Sequence, residues 1–345
     1  MTNQSATLAV VRPLWARVLT SGWTKAMLAA AVIYALVAFN RIDWTVFAGV
    51  AENWTWLVLA FVLMLPPYVI VSYRFWLVLR NQGIVTPFAT AVRWTMIGSF
   101  FDIAMPSNSG GDVVKAAYIV RHVGPGLRTK GVMAVAFDRV LGLLGLFLLA
   151  GITSIVGWKV VLSINSGGHL LIFLITVCLG TLIFFRIVGS RRLCNSQRLR
   201  TFLERLPAGH RIYNLIQCFN ALREKPRDLI AVLALSVLNH ICWCAALLCI
   251  TYAFAQSPQL ILGFVVFPLA IFSNVFGFAG GFGVGTAAFD VIFLRLLDIH
   301  VGAAIGLSFQ ILCVLSRLTG LPFYLVGREK NLGNFTSNLP INERI

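Results

Sequence analysis

A chain of 345 residues that is 59% hydrophobic and only 12% charged is not an ordinary soluble domain, which runs about 45–50% apolar and about 25% charged. Its formal net charge of +16 does not indicate nucleic acid in such a setting. It indicates loops that obey the positive-inside rule.

In chain order, Arg12, Arg17 and Lys25 precede a short apolar run, Met27–Phe39, flanked by Trp23 and Trp44. That pattern imitates a signal peptide but reads as an uncleaved first helix anchored by interfacial tryptophans. Trp54–Ser72 is a crossing with a kink expected at Pro66-Pro67. Val132–Gly157, Leu170–Arg186, Leu229–Phe254 and Val301–Val326 also reach the roughly 20 apolar residues that a spanning helix needs.

Two further apolar stretches are interrupted in the middle. Trp94–Val120 breaks at Pro106–Gly111, inside "SFFDIAMPSNSGGDVVKAAYIV", and Leu260–Leu297 breaks at "GFAGGFGVG", Gly277–Gly285. Non-helical backbone at membrane depth is tolerated only where protein or a watery cavity surrounds it. Both stretches therefore read as re-entrant helical hairpins. The expected fold is an all-α polytopic membrane protein with about six full crossings plus two hairpins.

Of the 28 basic residues, 23 fall on one presumed side. They include Arg74, Arg80 and Arg93, Lys115 to Lys130, ten between Arg186 and Arg227, and Arg328, Lys330 and Arg344. This bias predicts an inner (cell) membrane protein with both termini cytoplasmic, and hairpins that enter from opposite faces. "GGDVVKAA" at Gly110–Ala117 aligns with "GFGVGTAA" at Gly281–Ala288, and "DRVLGLL" at Asp138–Leu144 aligns with "SRLTGLP" at Ser316–Pro322. The pairing predicts an inverted repeat, an architecture that places substrate sites at the repeat interface. The organisation is then one transmembrane domain, 1–345. It has a first repeat at 53–157 with its hairpin at 94–120, a basic amphipathic cytoplasmic loop at 186–228, and a second repeat at 229–326 with its hairpin at 260–297.

The first hairpin carries chemistry. Ser109-Gly110-Gly111-Asp112 has capping-box spacing, the glycines permit close approach, and a helix N-terminus with Lys115 one turn in suits an anion. The competing reading is a capped helix packed tightly on a neighbour. Asp138 and Arg139 lie inside an apolar run, and Arg317 lies deep in the last one, where a charge costs at least about 2.5–3.5 kcal/mol. Asp138 and Arg139 read as a pair, and Arg317 needs a partner from elsewhere, with Asp102, Asp112, Asp290 or a ligand phosphate as candidates; Arg offers a phosphate a bidentate fork. The second hairpin offers Gly281 and Gly283. The expected substrate-binding set is therefore Ser109, Gly110, Gly111, Asp112, Lys115, Asp138, Arg139, Gly281, Gly283 and Arg317. No Walker A, G-x-S-x-G, H-E-x-x-H or D-x-D motif occurs, and the seven cysteines and five histidines form no ligand spacing. No enzyme activity, cofactor or metal is expected. Asp43 and Glu52 in the first outer loop are the only hint of a membrane glycosyltransferase.

The segments "GSFFDIAMPSNSGGDVVKAAYI", "AVAFDRVLGLLGL", "GGFGVGTAAF" and "LSRLTGLPFYLVG" resemble the transmembrane region of lysylphosphatidylglycerol synthases, a flippase-like family. The resemblance runs from about Lys25 to Arg328. It implies translocation of a phosphate-headgroup lipid; the synthase domain that makes the lipid in full-length members is not expected in the short stretch after Arg328. Where that family often has Pro and Glu in its second loop, Ala279-Gly280-Gly281 and Thr286 stand here. The expected function is a flippase for an anionic or glycosylated phospholipid. The alternatives are a membrane component of a polyprenyl-phosphate glycosyltransferase or lipid synthase, and a scaffold for a lipid-modifying enzyme docked on the 186–228 loop.

Overall fold

A computed structural model describes residues 45–103, 110–164, 167–188, 224–276 and 281–326, with Tyr34 and a few isolated positions near 209–216. All elements among the described residues are helical. They are α1 (Thr45–Glu52), α2 (Trp54–Leu63), α3 (Pro66–Asn81), α4 (Phe88–Phe101), α5 (Gly110–His122), α6 (Arg128–Val156), α7 (Trp158–Leu162), α8 (Gly167–Val188), α9 (Pro226–Ala253), α10 (Leu260–Ser273), α11 (Val284–Leu297) and α12 (Gly302–Leu318).

Four helical segments among the described residues are long and apolar enough to cross a bilayer: Trp54–Asn81, Pro125–Val156, Pro226–Ala253 and Gly302–Val326. They coincide with four of the six expected crossings. The fifth window lies in α8, and the sixth, Met27–Phe39, lies outside the described residues apart from Tyr34. The Pro66-Pro67 kink is present. The α2 helix stops at Leu63 and α3 restarts with proline in its first turn, where the missing N–H costs nothing.

Both interrupted stretches hold a pair of helices, one on either side of residues outside the described set. The α4 and α5 helices pack antiparallel: Gly98 lies against Gly111 near the loop, while Trp94 meets His122 edge-on at 5.3 Å farther away. In the second unit Asn274 lies against Gly281 and Gly285, and Phe267 stacks on Phe293 at 5.7 Å. The first helix of each unit is 14 residues long and ends on a polar C-cap, Asp102 in one and Asn274 in the other. The α5 helix begins at Gly110, two residues before the expected Asp112.

Two apolar cores follow. One surrounds the first unit with Phe75, Leu79, Trp94, Ile119, Phe137 and Leu141; the other surrounds the second with Phe267, Phe289, Phe293, Ile305 and Phe309. The long α9 contributes Val232 to the first and Leu247 and Ile250 to the second, and so joins them. The outward sides of α2, α6, α8 and α9 expose Val58, Leu59, Val62, Ile152, Ile155, Ile172, Phe173 and Leu238, which is the surface expected of a bundle solvated by acyl chains.

Two basic residues assigned to the inner side are instead inside the bundle. Arg74 is 4% exposed on α3 and Lys115 is 7% exposed on α5. Most of the 186–228 loop lies outside the described residues.

Candidate functional site

A cavity of about 180 Å³ opens where the first hairpin meets α3, α9 and α12. Helical spacing explains its walls. Thr95 and Ser99 are one turn apart on α4, with Asp102 at its end; Asn239 and Trp243 are one turn apart on α9. Tyr68 of α3, Lys115 of α5 and Arg317 of α12 complete the polar lining. The hydroxyls of Tyr68 and Ser316 share a hydrogen bond of 2.8 Å, which ties α3 to α12 beside the cavity. The rings of Phe100 and Phe101 lie against Tyr324, at 6.2 and 5.3 Å, and tie the end of α4 to the chain beyond α12. The site is therefore built from both halves of the sequence.

Its charged lining is two basic side chains and the carboxyl of Asp102. Asp102 interacts with both Arg317 and Lys115. The Lys115 ammonium lies 5.3 Å from the centre of the Phe75 ring, in a cation–π arrangement that is stronger when desolvated. The side-chain oxygens of Thr95 and Asn239, residues 2% and 5% exposed, have no hydrogen-bond partner among the described residues.

The N-terminus of α5 is not open to a ligand in the way its sequence suggests. Gly111 N–H donates to Asp102 Oδ1 at 2.7 Å, so a carboxylate of the protein itself caps the dipole. Gly110 and Gly111 are buried. A Cβ on Gly111 would collide with the carbonyl of Gly98, and one on Gly98 would stand 3.0 Å from the Gly111 carbonyl oxygen. These glycines let two backbones touch; the tight-packing reading of the motif describes them. Ser109 lies outside the described residues.

The other expected site residues separate into two groups. Asp138 does not pair with its neighbour Arg139. It accepts from Arg74 Nε at 2.8 Å, while Arg74 also donates to the Asp138 carbonyl and to Ser236 Oγ, each at 3.1 Å. This buried network joins α3, α6 and α9. Arg139 pairs with Asp112 in an ion pair whose side chains are 34% and 29% exposed. Neither pair lines the cavity.

Gly281 and Gly283 do not line it either. Both adopt positive φ, 124° and 82°, which explains the residue type without a ligand. Beside them Gln310 fills the space between the halves of the second hairpin. It accepts from Thr286 Oγ1 at 2.8 Å and donates to Asn274 Oδ1 at 3.0 Å and to the Gly281 carbonyl at 3.1 Å. The second hairpin is thus closed by a neutral amide where the first opens on charges. Gln310→Leu, which keeps volume but strands those partners, is expected to cost about 1–3 kcal/mol. Thermal unfolding in detergent measures it, and an unchanged midpoint would contradict the network.

Sequence reasoning missed Tyr68, Thr95, Asn239 and Trp243. Asn239 carried a signal, as a polar residue deep in an apolar run. Tyr68 and Thr95 carried none, because both types are common near helix ends and interfaces. Of the acids considered for glycosyl transfer, Glu52 is exposed at the end of α1 and Asp43 lies outside the described residues.

The profile of the family described as "Lysylphosphatidylglycerol synthase TM region" matches residues 15–326. The chain belongs to that family. Membership makes it a multi-pass membrane protein related to lipid synthesis or flipping. Comparison with curated proteins and with solved structures returned no match. The match to the lysylphosphatidylglycerol synthase TM region takes in all four membrane-length helices, both hairpins and every residue of the cavity.

Proposed function

We propose that the cavity between the first hairpin and α12 binds the phosphate headgroup of an anionic or glycosylated phospholipid, and that the protein moves this lipid across the inner membrane. One observation carries the reading. Lys115 and Arg317 line one buried cavity together with Asp102, a cluster with two basic side chains where charge is costly. A phosphodiester monoanion complements those two side chains. Arginine offers a planar fork to two phosphate oxygens, and lysine offers a point charge.

The wider frame supports this assignment. A polar cavity walled by a broken helical stretch that docks on a helix from the second half resembles the broken-helix sites of alternating-access transporters. The two hairpins enter from opposite faces, and both termini are cytoplasmic; the basic residues of the connecting segments support that orientation even with Arg74 and Lys115 placed inside. The apolar outer faces leave a route for acyl chains while the headgroup passes through the bundle.

The test is reconstitution in vesicles of phosphatidylcholine and phosphatidylglycerol that carry tail-labelled fluorescent lipids, with quenching of the outer leaflet by a membrane-impermeant reductant. Wild type is expected to expose inner-leaflet label. Lys115→Met, which keeps the packing on Phe75 but removes the charge, is expected to slow exposure by at least about tenfold, the size of a charge-assisted hydrogen bond. Equal rates in protein-containing and protein-free vesicles would overturn the proposal.

A further inference from the structure

The charged residues account for a phosphate, but they leave two other walls of the cavity unexplained. Thr95 sits one helical turn, ~5 Å of rise, before Gly98 on α4, and Lys115 packs against Gly98, with its Cγ and Cε 3.2 Å from a Cβ built there. A phosphate held by Lys115 therefore places the next few atoms of a headgroup within reach of Thr95. Across the cavity stands Asn239 of α9. The Thr95 Oγ1 and Asn239 Oδ1 atoms are buried and have no partner among the described residues. Helix hydroxyls nearby behave differently: Ser99 Oγ donates to the Thr95 carbonyl at 2.7 Å and Ser72 Oγ donates to the Tyr68 carbonyl at 2.6 Å. Elsewhere in the bundle Gln310 has both ends of its amide partnered, and Asn81 donates to Asp228 Oδ2 although its own oxygen has no partner among the described residues.

We infer that Thr95 and Asn239 are specificity-determining residues that favour a headgroup able to donate hydrogen bonds, the Asn239 amide oxygen because it can only accept and the Thr95 hydroxyl because it can accept as well as donate. This rests on the headgroup reading of the cavity and adds a chemical class to it. The substrate is a phosphodiester whose alcohol moiety carries O–H or N–H groups a few bonds from phosphorus. A headgroup of the same charge without donors leaves the Asn239 amide oxygen stranded, while the Thr95 hydroxyl can still donate to the phosphate. Such discrimination is strong because the wrong ligand removes water without replacing its hydrogen bonds. Anion attraction alone, through Lys115 and Arg317, does not distinguish these ligands.

Binding of short-chain lipids to the full-length protein in detergent tests the inference with two charge-matched pairs. The first compares dihexanoyl phosphoglycerol with dihexanoyl phosphopropanol, both monoanions. The second compares dihexanoyl phosphoethanolamine with dihexanoyl phosphocholine, both zwitterions. Within each pair the donor-bearing lipid is expected to bind about tenfold tighter to wild type. In the double variant Thr95→Val/Asn239→Leu the two members of each pair are expected to bind within about twofold, because only the donor-bearing lipid weakens. Those substitutions replace stranded polar atoms by apolar groups of similar shape, so folding is preserved, and unfolding midpoints check this. Equal binding within the pairs to wild type, or a preference that survives in the double variant, overturns the inference and leaves the headgroup site standing. Failure of all four lipids to bind overturns both.

Discussion

Asp138→Ala is expected to lower stability by about 3–5 kcal/mol, more than any other single substitution considered. It strands Arg74, which is 4% exposed and has its guanidinium 2.8 Å from the Asp138 carboxylate. Removing one member of a buried ion pair leaves an uncompensated charge, and the penalty is the desolvation of that charge. The Asp138 carbonyl and Ser236 remain to accept from Arg74, but neither carries a charge. Arg74→Ala is expected to do comparable harm by stranding the carboxylate. The double variant Arg74→Leu/Asp138→Leu is expected to recover most of the loss, since well-packed apolar residues often replace a buried pair at no cost. Unfolding midpoints of the four proteins in detergent complete the cycle. A loss below about 1 kcal/mol for Asp138→Ala would show that water or another group reaches Arg74. Lipid binding by the double variant is expected to match wild type, because the pair lies outside the cavity.

That pair also shows what a sequence can and cannot disclose. The helices were legible because the signals are local: apolar run length gave Val132–Gly157, the Pro66-Pro67 step gave a kink, and glycine clusters marked both hairpins. Long-range pairing was not. Asp138 beside Arg139 suggested one ion pair, yet side chains at consecutive helical positions point about 100° apart. Asp138 turns toward α3 and Arg139 toward α5. Arg74 read as a loop residue because Arg80 follows it, although it belongs to a buried helix face. The glycines at 110 and 111 permitted both a phosphate cradle and a helix contact; Gly98, thirteen residues before Gly111, is what makes the contact. Gly/Ala patterning aligns the two interrupted stretches but does not disclose how they differ. Whether a polar cap faces a cation or an amide depends on α5 and α12, not on the caps Asp102 and Asn274 themselves.

The two arginines that the repeat aligns are expected to differ sharply in function. Arg317→Ala should reduce translocation on the order of 100-fold, the upper range for a charged hydrogen-bonding partner, while Arg139→Ala should stay within about threefold of wild type. Arg317 lines the cavity beside Asp102 and Lys115; without it the cavity loses one of its two basic side chains and its fork for a phosphate. Arg139 pairs with Asp112 at a third exposure, and exposed pairs of this kind contribute about 0–1 kcal/mol. Arg317→Lys separates charge from geometry. It keeps a basic side chain there but loses the planar fork, so an intermediate rate is expected. The same vesicle assay reads all three variants, with unfolding midpoints to show that each is folded. A collapse of transport in Arg139→Ala to the level of Arg317→Ala would move the headgroup from the α4–α12 cavity to the Asp112–Arg139 face of α5. Equal activity of Arg317→Lys and wild type would instead show that a point charge suffices, and that the phosphate is held without a bidentate contact.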